Sequence, residues 1–189
     1  LRERVLIIGF GRFGQVVSQP LLARDVDVSI IDNDVEMIQA AGTFGFKVYY
    51  GDGTRLDVLR ASGATTAEAI LVCVDKQEAA DKIVELVKSE FPHAKLFVRA
   101  FDRGHALRLI NAGVDYQLRE TLESAIVFGR EVLLHLGVDE AEADDLVLDV
   151  RRRDAQRPDM QIAGARRAGR SRLRGESAQT QRGPIHGPR

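Results

Sequence analysis

The run Arg4-Val5-Leu6-Ile7-Ile8-Gly9-Phe10-Gly11-Arg12-Phe13-Gly14 places G-x-G-x-x-G at the end of a short apolar stretch. Few folds use that order. Glycines between a strand and a helix let the backbone approach a pyrophosphate, whose charge the helix N-terminus favours. A second apolar run, Val28-Ser29-Ile30-Ile31, ends on Asp32, about the 20 residues downstream at which a carboxylate meets ribose hydroxyls in a doubly wound domain. Together they predict a nucleotide-binding α/β fold. The competing reading is a Gly-rich turn that only packs a helix on a strand.

Further apolar runs bounded by turn residues alternate with helical patterns, as in βαβ units and parallel sheets. Strands are expected near 4–8, 27–31, 47–50, 69–74, 95–99 and 114–117, a Rossmann-type doubly wound six-stranded parallel sheet. Their Val/Ile/Leu content and weak alternation predict strands covered on both faces. Helices are expected over about 12–24, 34–42, 55–62, 78–91 and 102–112. Pro20 falls inside the first, where it removes a donor and should kink or shorten the helix.

The chain continues past the sixth strand with Arg119 to Leu136, a helical pattern whose Ile126, Val127, Phe128, Val132, Leu133 and Leu134 form an apolar surface wider than one packed face needs. Gly137 should cap it, and a further helix should follow from about 139 to 152. The surplus points to C-terminal dimerisation helices, against the alternative that they fold back on their own sheet. The expected organisation is a nucleotide-binding domain over 1–118, dimerisation or crossover helices over 119–160 and a disordered basic tail over 161–189.

The net charge of −1 conceals a division. Residues 151–189 carry eleven arginines against three acids, a net +8 that leaves −9 on residues 1–150. Beyond Ala163 the chain is rich in Gly, Ser and Arg and poor in large apolar residues, so it cannot offset the entropy of ordering. Lacking interleaved aromatics, the tail is read as solvated, and no nucleic-acid partner is expected. No apolar stretch approaches bilayer length, and no signal-like segment opens the chain. One cysteine, Cys73, excludes an internal disulfide. These features predict a chain that is not exported and lies in the cytoplasm.

In such a sheet ligands bind beyond the carboxyl ends of the strands. Those ends should carry Gly9, Gly11, Arg12, Phe13 and Gly14; Asp32, Asn33 and Asp34; Gly51-Asp52-Gly53-Thr54; Val74, Asp75 and Lys76; and Arg99. Asp32 would accept hydrogen bonds from ribose and repel a 2′-phosphate, which disfavours NADP. Its alternative role is the N-cap of the next helix, which Asp34 could also fill. Backbone turning alone could explain Gly51 and Gly53. Arg12 and Arg99 could meet phosphate or stand as surface charges. No acid or base faces a substrate site, His93, His105, His135 and His186 share no metal-ligand spacing, and Cys73 reads as an inert buried thiol, so no enzyme is expected. Neither a catalytic nor a metal site is predicted.

The segments Gly9–Gln15, Tyr50-Gly51-Asp52-Gly53-Thr54-Arg55, Phe91-Pro92-His93, Arg99-Ala100 and Arg119-Glu120-Thr121 resemble the cytosolic domain of Kef-type glutathione-regulated potassium efflux antiporters, of the regulator-of-potassium-conductance or TrkA-N class. The resemblance covers about residues 4–154. It implies a regulatory domain on the cytoplasmic face of the inner membrane, following a membrane antiporter domain that would precede Leu1. It further implies a homodimer through the last helices, AMP or NAD(H) as nucleotide, glutathione at the dimer interface and an ancillary regulatory subunit as a further partner.

The family's glutathione pocket maps onto Gln19, Arg119 and Asp154, with Phe44 as an aromatic sensor of bulky adducts. Arg119 and Phe44 are retained, whereas Gln19 replaces an arginine and Asp154 an asparagine. Both changes make the site less attractive to a ligand bearing two carboxylates. Two other readings compete with the antiporter gate: an NAD-dependent oxidoreductase fragment, and a free-standing nucleotide-binding subunit of a potassium uptake system.

Overall fold

The computed structural model describes residues 4–157. The expected tail over 161–189 lies outside them. Six strands, β1 (Arg4–Ile8), β2 (Asp27–Asp32), β3 (Lys47–Tyr50), β4 (Ala69–Val72), β5 (Lys95–Ala100) and β6 (Tyr116–Arg119), form one parallel sheet in the order β3-β2-β1-β4-β5-β6. Five helices connect them: α1 (Arg12–Ala23), α2 (Val35–Thr43), α3 (Leu56–Ala61), α4 (Gln77–Glu90) and α5 (Arg103–Asn111). β1 sits between β2 and β4, with Ile7 opposite Ile30 and Leu71. Strand order therefore reverses between β1 and β4, which opens a crevice at their carboxyl ends.

Alternate residues of β1 feed two cores. Val5 and Ile7 pack with Val28 and Ile30 beneath α1 and α2, while Leu6 and Ile8 pack with Ile70, Val72, Ile83 and Leu96 beneath α3, α4 and α5. Ile7, Ile30, Ile31 and Ile70 are wholly buried, each worth roughly 1.5–3 kcal/mol relative to an exposed side chain.

Coverage on both faces fails beyond the centre of the sheet. β5 alternates between exposed and buried, with Phe97 and Tyr116 exposed and their rings 6.1 Å apart. Only α1 and α2 cover that face, over β1 to β3. The helices α3, α4 and α5 all lie on the other face, and Phe97 and Tyr116 stay partly exposed.

Two strand boundaries also move. β6 begins at Tyr116, not Val114, because Gly113 at φ 79° ends α5 and the Val114 N–H is spent on the Leu109 carbonyl. Asp115 then braces β5, its carboxylate accepting the Leu96 N–H at 2.8 Å. β4 ends at Val72, which puts Cys73 just past the strand rather than inside it. α1 is not cut at Pro20; it closes at Ala23, with the Arg24 N–H reaching the Pro20 and Leu21 carbonyls.

α6 (Glu120–His135) follows β6 without a connecting residue, and α7 (Glu140–Gln156) follows α6. Gly137 at φ 86° caps α6 with two reverse hydrogen bonds, Gly137 N–H to Leu134 and Val138 N–H to Leu133, the Schellman arrangement. The described residues divide into two compact units that meet between Gly129 and Arg130. In the second, Arg130 donates to Asp144 at 2.6 Å and Glu140 at 3.2 Å, and these carboxylates raise its pKa. Among the described residues no helix is long and apolar enough to cross a membrane.

Candidate nucleotide-binding site

A cleft of about 510 Å³ lies at the carboxyl ends of β1, β2 and β4. Of the residues expected at the site, Gly9, Gly11, Arg12, Phe13, Asp32, Asn33, Asp52, Thr54, Val74, Asp75 and Arg99 all line it. Gly14 lies beneath it.

The three glycines of the loop have different jobs. Gly9 adopts φ 96°, and a Cβ there would lie 2.9 Å from the Cys73 carbonyl carbon; a Cβ on Gly14 would lie 2.2 Å from the Gly9 carbonyl oxygen. Both serve the fold. Gly11 has an ordinary φ of −70°, and nothing stands within 4 Å of where its Cβ would be. Its lack of a side chain keeps a space in the cleft open and leaves α1 without a side-chain N-cap. Amides of an uncapped helix start facing open space suit a phosphate or similar anion.

Asp32 positions this loop. One carboxylate oxygen accepts the Phe10 N–H at 2.7 Å and the other the Asp34 N–H at 2.8 Å. Asp34, not Asp32, is the N-cap of α2, accepting the Glu36 N–H at 2.8 Å. The alternative role for Asp32 is thereby corrected. Each of its oxygens retains a lone pair for a hydroxyl group in the cleft.

Asp52 accepts both the N–H and the hydroxyl of Thr54, at 2.9 and 2.7 Å. These bonds, led by the hydroxyl, hold its carboxyl below the usual value despite some burial. Gly51 and Gly53 are required by space rather than by turning. Neither has a positive φ, yet their Cβ atoms would meet Val58 Cγ1 at 2.9 Å and Ile8 Cγ2 at 2.5 Å.

Arg99 projects from β5, its guanidinium over the rings of Phe13 at 5.3 Å and Phe101 at 5.7 Å. It pairs with Glu120 at 2.6 Å, and both line the cleft. Gln15, Met37 and Glu120 line it too but were not expected. The quoted Arg119-Glu120-Thr121 segment held the only sequence signal for Glu120. Cys73 also lines the cleft and is buried; desolvation pushes its thiol up to about 12, which makes it a poor nucleophile at neutral pH.

Gln19, Phe44 and Arg119 do not line this cleft. Gln19 is exposed on α1, Arg119 ends β6 and Phe44 packs edge-on against Phe10 at 6.4 Å. Asp154 lies in α7, in the second unit. His105 is structural: Nδ1 accepts the Phe101 N–H at 3.1 Å and Nε2 meets Asp81 at 2.7 Å. Among the described residues no cluster of three or more His, Cys, Asp or Glu could hold a metal.

The TrkA-N domain family matches residues 5–120. The chain belongs to the TrkA-N family. It is 45% identical over 157 residues to the glutathione-regulated potassium-efflux system protein of Haemophilus influenzae, a match spanning 83% of this chain and 25% of that protein. The chain thus spans about a quarter of the length of that curated relative. The AMP-bound Kef C-terminal domain of Shewanella denitrificans superposes with a TM-score of 0.74 at 37% identity, over 81% of this chain and 94% of that one. This places the chain among Kef C-terminal domains. The GsuK channel bound to NAD shares the fold, with a TM-score of 0.59 at 20% identity over 69% of this chain and 23% of that one.

Proposed function

We propose that this TrkA-N domain is the nucleotide-sensing regulatory domain of a Kef-type potassium/proton antiporter, standing on the cytoplasmic face of the inner membrane. Gly11 carries the proposal: it leaves an uncapped helix start open to the cleft, on the loop that Asp32 holds. In the similar Shewanella denitrificans domain the bound nucleotide is AMP. The cleft is assigned to AMP or NAD(H), with phosphate at the amides of Gly11, Arg12 and Phe13 and ribose at Asp32. Asn33, Asp52, Thr54, Val74 and Asp75 form the surrounding walls, and Arg99 supplies a further cation.

Similarity to a potassium-efflux system protein and to a Kef C-terminal domain supports a domain that acts by binding rather than by turnover. A ligand regulates only through different affinities for two states. The exposed Val127, Phe128, Val132 and Leu136 on α6 and Leu146, Leu148 and Val150 on α7 support a reading in which residues 119–160 serve homodimerisation and 1–118 form the nucleotide-binding part. Glutathione regulation, in the name of the Haemophilus influenzae relative, would use Gln19, Phe44, Arg119 and Asp154, and the charge at Asp154 opposes it.

Native mass spectrometry of the purified chain tests this reading. A dimer carrying an adenine nucleotide supports it; a monomer that stays ligand-free after incubation with AMP and NADH refutes it.

A further inference from the structure

The ion pair between Arg99 and Glu120 is placed so that the cleft and the start of α6 share one contact. Arg99 is fixed from below by Phe13 of the glycine loop and by Phe101, and Glu120 takes its guanidinium at 2.6 Å. Both side chains line the cleft, with Arg99 24% and Glu120 43% exposed. Glu120 is also the first residue of α6, and no loop separates it from β6. Its backbone is thus held by the sheet, while its carboxylate stands at the positive end of a 16-residue helix.

The charges of the cleft make this pair sensitive to an anion. Its lining carries the cations Arg12, Lys76 and Arg99 against Asp32, Asp34, Asp52, Asp75 and Glu120. A phosphate entering there gains most from the cations, but one of them is already engaged by Glu120, whose own charge repels the newcomer. Phosphate occupancy and the Arg99–Glu120 pair therefore oppose each other. By linkage, whatever weakens the pair tightens phosphate binding, and phosphate binding weakens the pair to the same degree.

We infer that the Arg99–Glu120 ion pair is a latch between the cleft and α6, released by the phosphate of a bound nucleotide, with Glu120 setting the affinity for that phosphate. The inference rests on the nucleotide reading of the cleft. It makes Glu120 a positioning residue, acting on the ligand through Arg99 and through its own charge.

The test is calorimetric titration of AMP and of adenosine into the 189-residue chain as wild type, Glu120→Gln and Arg99→Gln. Glu120→Gln should bind AMP about 3- to 10-fold more tightly and adenosine, which has no phosphate, with unchanged affinity, the size of a charge effect in a partly solvated site. Arg99→Gln should lose at least about tenfold for AMP and little for adenosine. Hydrogen exchange at the amides of residues 124–126, in the first bonded turn of α6, should quicken with AMP in wild type and not in Glu120→Gln. Equal or weaker AMP binding by Glu120→Gln, or an equal gain for adenosine, overturns the latch while leaving nucleotide binding intact. Failure of the wild type to bind AMP or adenosine overturns both.

Discussion

The carboxylate of Asp32 receives the N–H of Phe10 at 2.7 Å, which ties the end of β2 to the glycine loop after β1. A residue suited to ribose by its position thus also sets the shape of the phosphate loop. Asp32→Ala removes both roles. It should lower stability by about 1–3 kcal/mol without any ligand, because two loop amides lose a charged acceptor, and it should weaken AMP binding as well. Urea unfolding of the ligand-free variant separates the two. Unchanged stability would mean that Asp32 serves the ligand alone.

Gly11 and Gly14 should respond oppositely to alanine. Gly11→Ala, with open space around its Cβ, should cost no more than about 1 kcal/mol, the loss of placing alanine at an N-cap, and reduce AMP affinity at least tenfold. Gly14→Ala would bring a methyl 2.2 Å from the Gly9 carbonyl oxygen and should destabilise the fold by more than about 2 kcal/mol. Thermal melts and titrations of the two variants side by side check this.

Much of this arrangement was legible because parallel-sheet rules place function at strand ends. Apolar runs containing Val or Ile located the first five strands and came within two residues of the start of the sixth, and eleven of the twelve residues expected to bind nucleotide line the cleft. Uneven coverage of the sheet was hidden, since the exposed Phe97 and Tyr116 are themselves apolar and do not advertise an open face. Glu120 was hidden because ordinary helix-start composition gives no sign that a carboxylate will meet Arg99, 21 positions earlier in the chain. The glycines of the Gly51-Asp52-Gly53-Thr54 turn look like turn residues in sequence; only the positions of Val58 and Ile8 show that they are packing residues.

Asp52 predicts a pH effect. Hydrogen bonds from Thr54 depress its folded pKa below the ordinary 3.8, so its contribution to stability is present above that value and fades as pH falls through the lower folded value. Thr54→Val removes the hydroxyl donor but keeps the backbone one. The variant should lose less stability than wild type between about pH 5 and 2, by well under 1 kcal/mol in this solvated position. Chemical unfolding across that range measures it.

Cys73, with its thiol pushed up to about 12 by burial, should resist a thiol-exchange reagent at pH 8 in the folded chain and react promptly in urea. Fast labelling of the folded chain would show that the floor of the cleft opens.

The most direct measurement of the central claim is an amide NMR titration of the chain with AMP. The largest shifts should fall on Gly9 to Phe13, then on Asp32 to Asp34 and Gly51 to Thr54, saturating together. Absence of saturable shifts there, or shifts confined to α6 and α7, would contradict the assignment of this cleft to an adenine nucleotide.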